Sequence, residues 1–482
     1  MKVLHADKTH SVPTLTHLAL VLLGGLLLAL YLIGEGQRPP EFPSFITLAL
    51  GQATLYLVAV WLVLRGRSSR SLLIIILLFA VLFRLSILFS PPPFSSDVYR
   101  YIWDGRVQAA GINPYRYLPS DPDLALLRDQ QIYPNINRRD TAHTIYPPVA
   151  QAIYFAVTRV SESVTWMKAV MVGCEALTIW ALLALLARMG LPQERVLILA
   201  WHPLFVWEFA GNGHVDAIAG AFISLALLAR YRRWDTGVGL ALGCATLVKF
   251  LPVIVFPALY RRWGWKMPVA FAITIGLAYL PYLSVGTRVV GFLPGYAGEE
   301  GLISGTRFFI FDVARRIIPG WDVSAESFIA LAFSILFGLA MWSLRTRDPS
   351  PRDFILRGLL LASAFTILFS PHYPWYFAWL VPFLCIMPFV PLLYLTATSF
   401  VLYGMWMGET PELMFALNLF LYLPFAIVCI LALWNRRWNF DRAGEATFAS
   451  QWLEVQTDAF APNSDAAGYV EQTAFTRDGG EK

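Results

Sequence analysis

Residues 72–83 read LLIIILLFAVLF: twelve apolar side chains in a row with no polar alternation. A membrane β-strand alternates apolar and polar residues over about ten positions. An unbroken run of this kind is instead the centre of a helix that crosses a bilayer, which needs about 20 predominantly apolar residues. The whole chain agrees. It has 482 residues, 57% of them hydrophobic and only 14% charged, with a mean hydropathy of +0.57. That is too apolar for a soluble globular domain and predicts an all-α, polytopic helical membrane protein.

Immediately after this run comes the longest polar interval in the chain. Residues 95–151 read SSDVYRYIWDGRVQAAGINPYRYLPSDPDLALLRDQQIYPNINRRDTAHTIYPPVAQ. So polar a loop at the end of an apolar span marks a working face.

Charge sets the expected topology. The formal net charge of +5 says little by itself, because the basic residues sit in short juxtamembrane clusters and give no reason to invoke nucleic acid. The first spans are expected at roughly 15–34, 44–64 and 71–90, and the RGRSSR between the second and third belongs inside by the positive-inside rule. The N-terminus is then cytoplasmic and the loop 91–150 lies outside. The run 17–34 is too long for a signal-peptide core of about 7–15 residues and reads as an uncleaved span.

Further clusters at Arg188 and Arg195, Arg230 to Arg233, Arg261 to Lys266, Arg345 to Arg352, and Arg436 with Arg437 all fall inside on two conditions. Residues 164–187 must be one crossing, and 236–260 a hairpin of two short helices with its tip at Lys249 and Pro252. About 14 transmembrane or partly inserted helices result. Residues 1–435 form the membrane domain, and 436–482 form a cytoplasmic polar tail with an amphipathic segment at 443–455. The four cysteines lie in apolar runs with no metal-binding spacing. No internal repeat is visible.

Five polar features gather on the outer side. If residues 98–110 are helical, Asp97, Arg100, Tyr101 and Asp104 share one face, with Trp103 beside them. Carboxylates and aromatic rings of this kind suit a sugar, and Asp97 or Asp104 could serve as base for a hydroxyl. Alternatively, Asp97 caps the helix and Asp104 pairs with an arginine. Arg84 lies roughly 9 Å inside the third span and either faces a cavity or pairs with a carboxylate. In WEFAGNGHVDAIAG, Glu208, Asn212, His214 and Asp216 flank a glycine-permitted break. Lys249 in LVKFLP is a phosphate ligand or the ion-pair partner of Glu208 or Asp216. His372 and Trp375 in SPHYPWY belong to an aromatic tip, and Arg307 to the loop 285–324. One histidine among carboxylates is a weak metal signal, so no metal or other cofactor is assigned, although a divalent metal stays open.

The run SSDVYRYIWDGRVQAAGINPYRY, followed by LRD, IYPNINR and TIYPPVAQ, resembles the first outer loop of bacterial polytopic mannosyltransferase-like proteins of the GT-C superfamily. The later EFAGNGHVDA, LVKFLP and PHYPWY segments are similar to recurring features of that group, so the resemblance spans roughly residues 70–435. It implies a GT-C fold and an inverting transfer of a hexose, mannose by the same resemblance. The donor would be a polyprenyl-phosphate sugar at the outer face of the plasma (inner) membrane, and the acceptor a glycan or lipid hydroxyl. Asp97 would be the base. Some relatives carry an Asp-x-Asp pair there, whereas this chain reads Asp97-Val98-Tyr99. No glycine-rich nucleotide motif accompanies it. A transporter or flippase of a lipid-linked sugar is the alternative, as is a non-catalytic binder of such a lipid. Polar features on one face alone favour the enzyme.

Overall fold

The computed structural model describes residues 15–36, 41–299, 301, 308–320, 323–408 and 410–434. Arg307, the polar tail and its segment 443–455 lie outside the described residues. Every regular element among those described is helical. Six helices frame the first half: α1 (Leu15–Gly36), α2 (Phe42–Arg65), α3 (Arg70–Leu88), α4 (Asp97–Ala109), α5 (Pro148–Thr158) and α6 (Val164–Arg188).

Among the described residues, eight helices are long and apolar enough to cross a membrane. The expected 14 counted two kinds of segment together. Between α6 and Lys266 the chain is cut into short pieces by Pro203, by the glycine turn at 211–213 and by Pro252. Hydropathy registers these pieces as spans, although none is long enough to be one. The piece Leu197–Gly211 is almost wholly buried, so it is an inserted core rather than a lipid-facing helix. Helices α1, α3 and Ala325–Ser343 are the reverse: Leu22, Leu78 and Phe337 are all more than half exposed. Lipid tails compete equally for such surfaces, so helix association rests on close packing and on polar pairs.

The central polar pair is Arg84 with Glu175, joining α3 to α6. The guanidinium meets the carboxylate at 2.8 Å and donates to the carbonyl oxygens of Ala200 (2.6 Å) and Ala80 (3.0 Å). Both side chains are buried. Arg84 thus locks α3, α6 and the inserted core together.

Three of the basic clusters, those around Arg230, Arg261 and Asp348, meet at one end of the helices. Asp348 pairs with Arg230 (3.0 Å), Arg233 (3.1 Å) and Arg261 (3.3 Å), and Arg261 also pairs with Asp235 (3.3 Å). The contact between Asp235 and Arg261 means that the segment between them leaves that end and returns to it. Its break lies at residues 247–250, between Asp235–Thr246 and Leu251–Val255. Lys249 is therefore carried away from the arginines by about 18 Å of helix, twelve residues at 1.5 Å each.

The loop after α3 folds over the other end. Arg106 of α4 pairs with Asp129 (2.7 Å) and Glu162 (2.8 Å). Burial opposes the charge on Asp129, but Arg106 and the backbone N–H groups of Tyr133 and Ile132 outweigh it and hold the carboxyl down at about 2. This contribution is complete above the ordinary aspartate range and fades only as pH falls through about 2, so the staple holds at physiological pH.

Breaking a buried pair by removing one partner costs about 3–5 kcal/mol, whereas replacing both by apolar groups is often neutral. Arg84→Met should therefore lower the thermal unfolding midpoint in detergent markedly, and Arg84→Met with Glu175→Leu should recover most of the loss. A single variant as stable as wild type would contradict this role.

Candidate active site

Three prolines at 91–93 end the direction of α3, and the chain turns toward the inserted core. There the amides of Phe94 and Ser95 donate to Asn212 Oδ1 at 3.0 and 3.3 Å. Helix α4 then starts at Asp97 itself. Ser96 stands at the capping position and makes no side-chain cap bond, and Asp97 is the first helical residue. The Asp97 carboxylate caps nothing and is aimed outward, near the positive end of its helix. Asn137 Nδ2 donates to Oδ1 at 2.6 Å, and Oδ2 lies 3.9 Å from His214 Nδ1.

His214 reaches that position through Gly213, whose φ is +77°. A Cβ there would sit 3.0 Å from Lys168 and 3.2 Å from Val98. Two residues on, Asp216 opens the helix Asp216–Tyr231 and holds Lys249 at 2.8 and 3.0 Å. Trp379 Nε1 donates to the same carboxylate at 3.1 Å. The Lys249 ammonium lies 4.1 Å from the centre of the Tyr376 ring. Trp375 stacks between His214 (centroids 4.1 Å apart) and Tyr373 (4.5 Å).

These groups enclose a cavity of about 270 Å³. Of the residues expected from sequence, Asp97, Arg100, Tyr101, His214, Asp216, Lys249 and Trp375 line it together, although they come from four separate stretches of chain. The others lie elsewhere. Arg84 is in the ion pair with Glu175. Asp104 is buried beneath the cavity, where it takes Arg100 Nε (2.8 Å), Thr144 Oγ1 (2.5 Å) and Gln151 Nε2 (2.8 Å). Trp103 is buried against Tyr133. Glu208 supports the tip from below, accepting from Tyr403 Oη and from Asn212 Nδ2 (2.9 Å), with His214 Nε2 at 3.4 Å. His372 is buried and does not line the cavity.

The sequence reading missed Asn137, Arg138, His143, Tyr146, Phe292 and Tyr296 as lining residues. Asn137 and Arg138 lie in the quoted IYPNINR, but an aperiodic loop gives no rule for which side chains turn inward. Burial first, then the nearby Arg100 guanidinium, holds the His143 pKa below the ordinary histidine value. Its imidazole is neutral at neutral pH and can accept a hydroxyl hydrogen bond. Among the described residues, no cluster of three or more His, Cys, Asp or Glu is arranged to hold a metal ion.

A polytopic helical protein with a carboxylate, stacked aromatic rings and fixed cations around one cavity has the makings of a membrane glycosyltransferase. A family model, described as alpha-(1->6)-mannopyranosyltransferase, N-terminal domain, matches residues 17–265, more than half of the chain. The chain belongs to this family of GT-C-type mannosyltransferases and is a glycosyltransferase. No curated protein and no solved structure matches it.

Gly213 and Gly211 provide a matched test of the tip. A left-handed conformation costs an L-residue about 1–2 kcal/mol, and Gly213→Ala also presses on Lys168 and Val98. Gly211 has ordinary backbone angles, and its nearest side-chain neighbour would lie 3.4 Å from an added Cβ. Gly213→Ala should lower mannosyl transfer about tenfold or more and Gly211→Ala should leave it near wild type, measured at matched protein level. Equal effects would contradict the placement of His214 and Asp216 by this turn.

Proposed function

We propose that this protein transfers mannose from a polyprenyl-phosphate carrier to a hydroxyl of a glycan or lipid acceptor by a single inverting displacement, with Asp97 as base. The observation that carries the reading is the setting of Asp97. Arg100 is matched by Asp104, and Lys249 by Asp216. The Asp97 oxygens face Asn137 and His214 instead of a lysine or arginine, which leaves a carboxylate lone pair for an incoming hydroxyl.

In the reaction, the acceptor oxygen bonds to C1 of the mannosyl group as its proton passes to Asp97. The C1–O bond to phosphate breaks, and the phosphate leaves with the electron pair toward Lys249. An α product, as the name of the alpha-(1->6)-mannopyranosyltransferase family implies, requires a β-linked donor under inversion. Trp375 and Tyr373 supply aromatic surface for the sugar, and His143 an acceptor for one of its hydroxyls. Arg100, held by Asp104, carries positive charge to the wall.

A lipid-linked donor is supported by the lack of a glycine-rich nucleotide motif in the sequence. Gathering of Arg230, Arg233 and Arg261 around Asp348, at the end away from the cavity, supports a cytoplasmic basic face, an outward-facing active site and a plasma-membrane location, by the positive-inside rule. We assign no metal: the fixed cations at the wall supply the charge that a leaving phosphate needs.

The test is transfer in reconstituted vesicles from polyprenyl-phosphate-mannose to a mannoside acceptor, comparing wild type with Asp97→Asn at equal thermal stability. Loss of a general base should reduce the rate by about 10²–10⁴-fold, and a chelator should leave the wild type unchanged. Full transfer by Asp97→Asn would remove it as base, chelator inhibition would require a metal, and transfer from GDP-mannose alone would exclude the lipid donor.

A further inference from the structure

Among the described residues three cations line the cavity, and they differ in what it would take to redirect them to a ligand. Arg100 is bound to Asp104 with both side chains nearly inaccessible, at 5% and 2% exposure. Lys249 is bound to Asp216, whose side chain is fully buried. Arg138 is different. Its partner Glu299 is on the short helix Leu293–Glu299, and the two side chains are 38% and 39% exposed. An ion pair that open to water contributes little, so exchanging one anion for another there is nearly free.

The geometry of the pair matters as well. Arg138 Nη2 meets Glu299 Oε2 at 2.8 Å, and Nε meets Oε1 at 3.2 Å. Two adjacent guanidinium nitrogens thus face two oxygens of one anion, the arrangement by which arginine also grips a phosphate. The backbone fixes this arginine at the wall. Arg138 holds a left-handed φ of +49°, and its carbonyl oxygen accepts from the amides of Thr141 (3.1 Å) and Ala142 (2.9 Å). Strain of this kind in a non-glycine residue persists where the surroundings impose it. Its neighbour Asn137 is the residue that holds Asp97.

We propose that Arg138 is the exchangeable phosphate ligand of this site: Glu299 occupies its guanidinium in the donor-free protein, and the donor phosphate displaces that carboxylate. This inference rests on the lipid-phosphate donor proposed above and names the group that reads its head. Lys249, tied to Asp216, then supplies fixed charge, and Arg138 supplies the grip that discriminates a phosphate from an uncharged lipid alcohol. Glu299 is a competitor, so its removal strengthens binding. A merely structural pair would give the opposite sign.

The experiment measures binding of polyprenyl phosphate, polyprenol, inorganic phosphate and GDP-mannose to the full chain in lipid nanodiscs, for wild type, Arg138→Gln, Arg138→Lys, Glu299→Gln and the double variant Arg138→Gln with Glu299→Gln. Thermal unfolding midpoints confirm that each is folded. The expected result is polyprenyl phosphate bound in preference to polyprenol and to free phosphate. Glu299→Gln should bind it several-fold tighter, Arg138→Gln about tenfold weaker, Arg138→Lys between that and wild type, and the double variant no tighter than Arg138→Gln. Glu299→Gln binding equally or more weakly, or Arg138→Gln binding as wild type does, would overturn the assignment while leaving the donor intact. Wild type that ignores polyprenyl phosphate and takes GDP-mannose would overturn the donor reading, and this inference with it.

Discussion

The joint on which the site depends is the side chain of Asn212. Its oxygen takes the amides of Phe94 and Ser95, and its nitrogen donates to Glu208, which is itself held by Tyr403. One amide thereby ties the loop after α3 to a turn that rises from the buried core. The loop contributes Asp97 and the turn contributes His214 and Asp216, so this bond joins the two stretches that line the cavity together. All its members except the loop amides are buried, and an unmatched polar group in such a place is costly. That cost favours one arrangement of the loop over many.

Around this joint, charge is distributed with a definite order. Cations close to the cavity are held by carboxylates of graded accessibility, from the inaccessible Asp104 to the half-exposed Glu299. Asp97 faces neutral or weakly basic partners. A glycosyl transfer needs both conditions at once: an uncommitted base on the acceptor side, and positive charge near the leaving phosphate that does not collapse onto that base. Asp104 pairs with Arg100, Asp216 with Lys249 and Glu299 with Arg138, so each of these cations has a carboxylate partner other than Asp97.

Much of this was legible in the sequence because an apolar chain makes its polar residues conspicuous. Asp97, His214, Asp216, Lys249 and Trp375 were found by asking why a membrane protein would tolerate them, and the fold brings them to one cavity. The same rule also selected Arg84, which is as costly to bury and yet is structural, since hydropathy does not reveal a partner 91 residues away in Glu175. Helical spacing put Asp104 on the face of Asp97 and Arg100, but seven residues of helix carry it about 10 Å farther along the axis, under the cavity floor. Asn137 and Arg138 carry no periodic signal at all. The expected 14 transmembrane or partly inserted helices exceed the eight long spans among the described residues because proline and glycine breaks divide the remaining apolar sequence into shorter pieces.

The central claim is that one displacement at C1, with Asp97 taking the acceptor proton, forms the new linkage. The most direct measurement is the anomeric configuration of the product formed from a β-linked polyprenyl-phosphate-mannose, read from the one-bond C1–H1 coupling by NMR. The expected product is the α-mannoside alone. A β-mannoside would require two displacements or a different nucleophile, and would contradict the role of Asp97 derived from its place in the cavity.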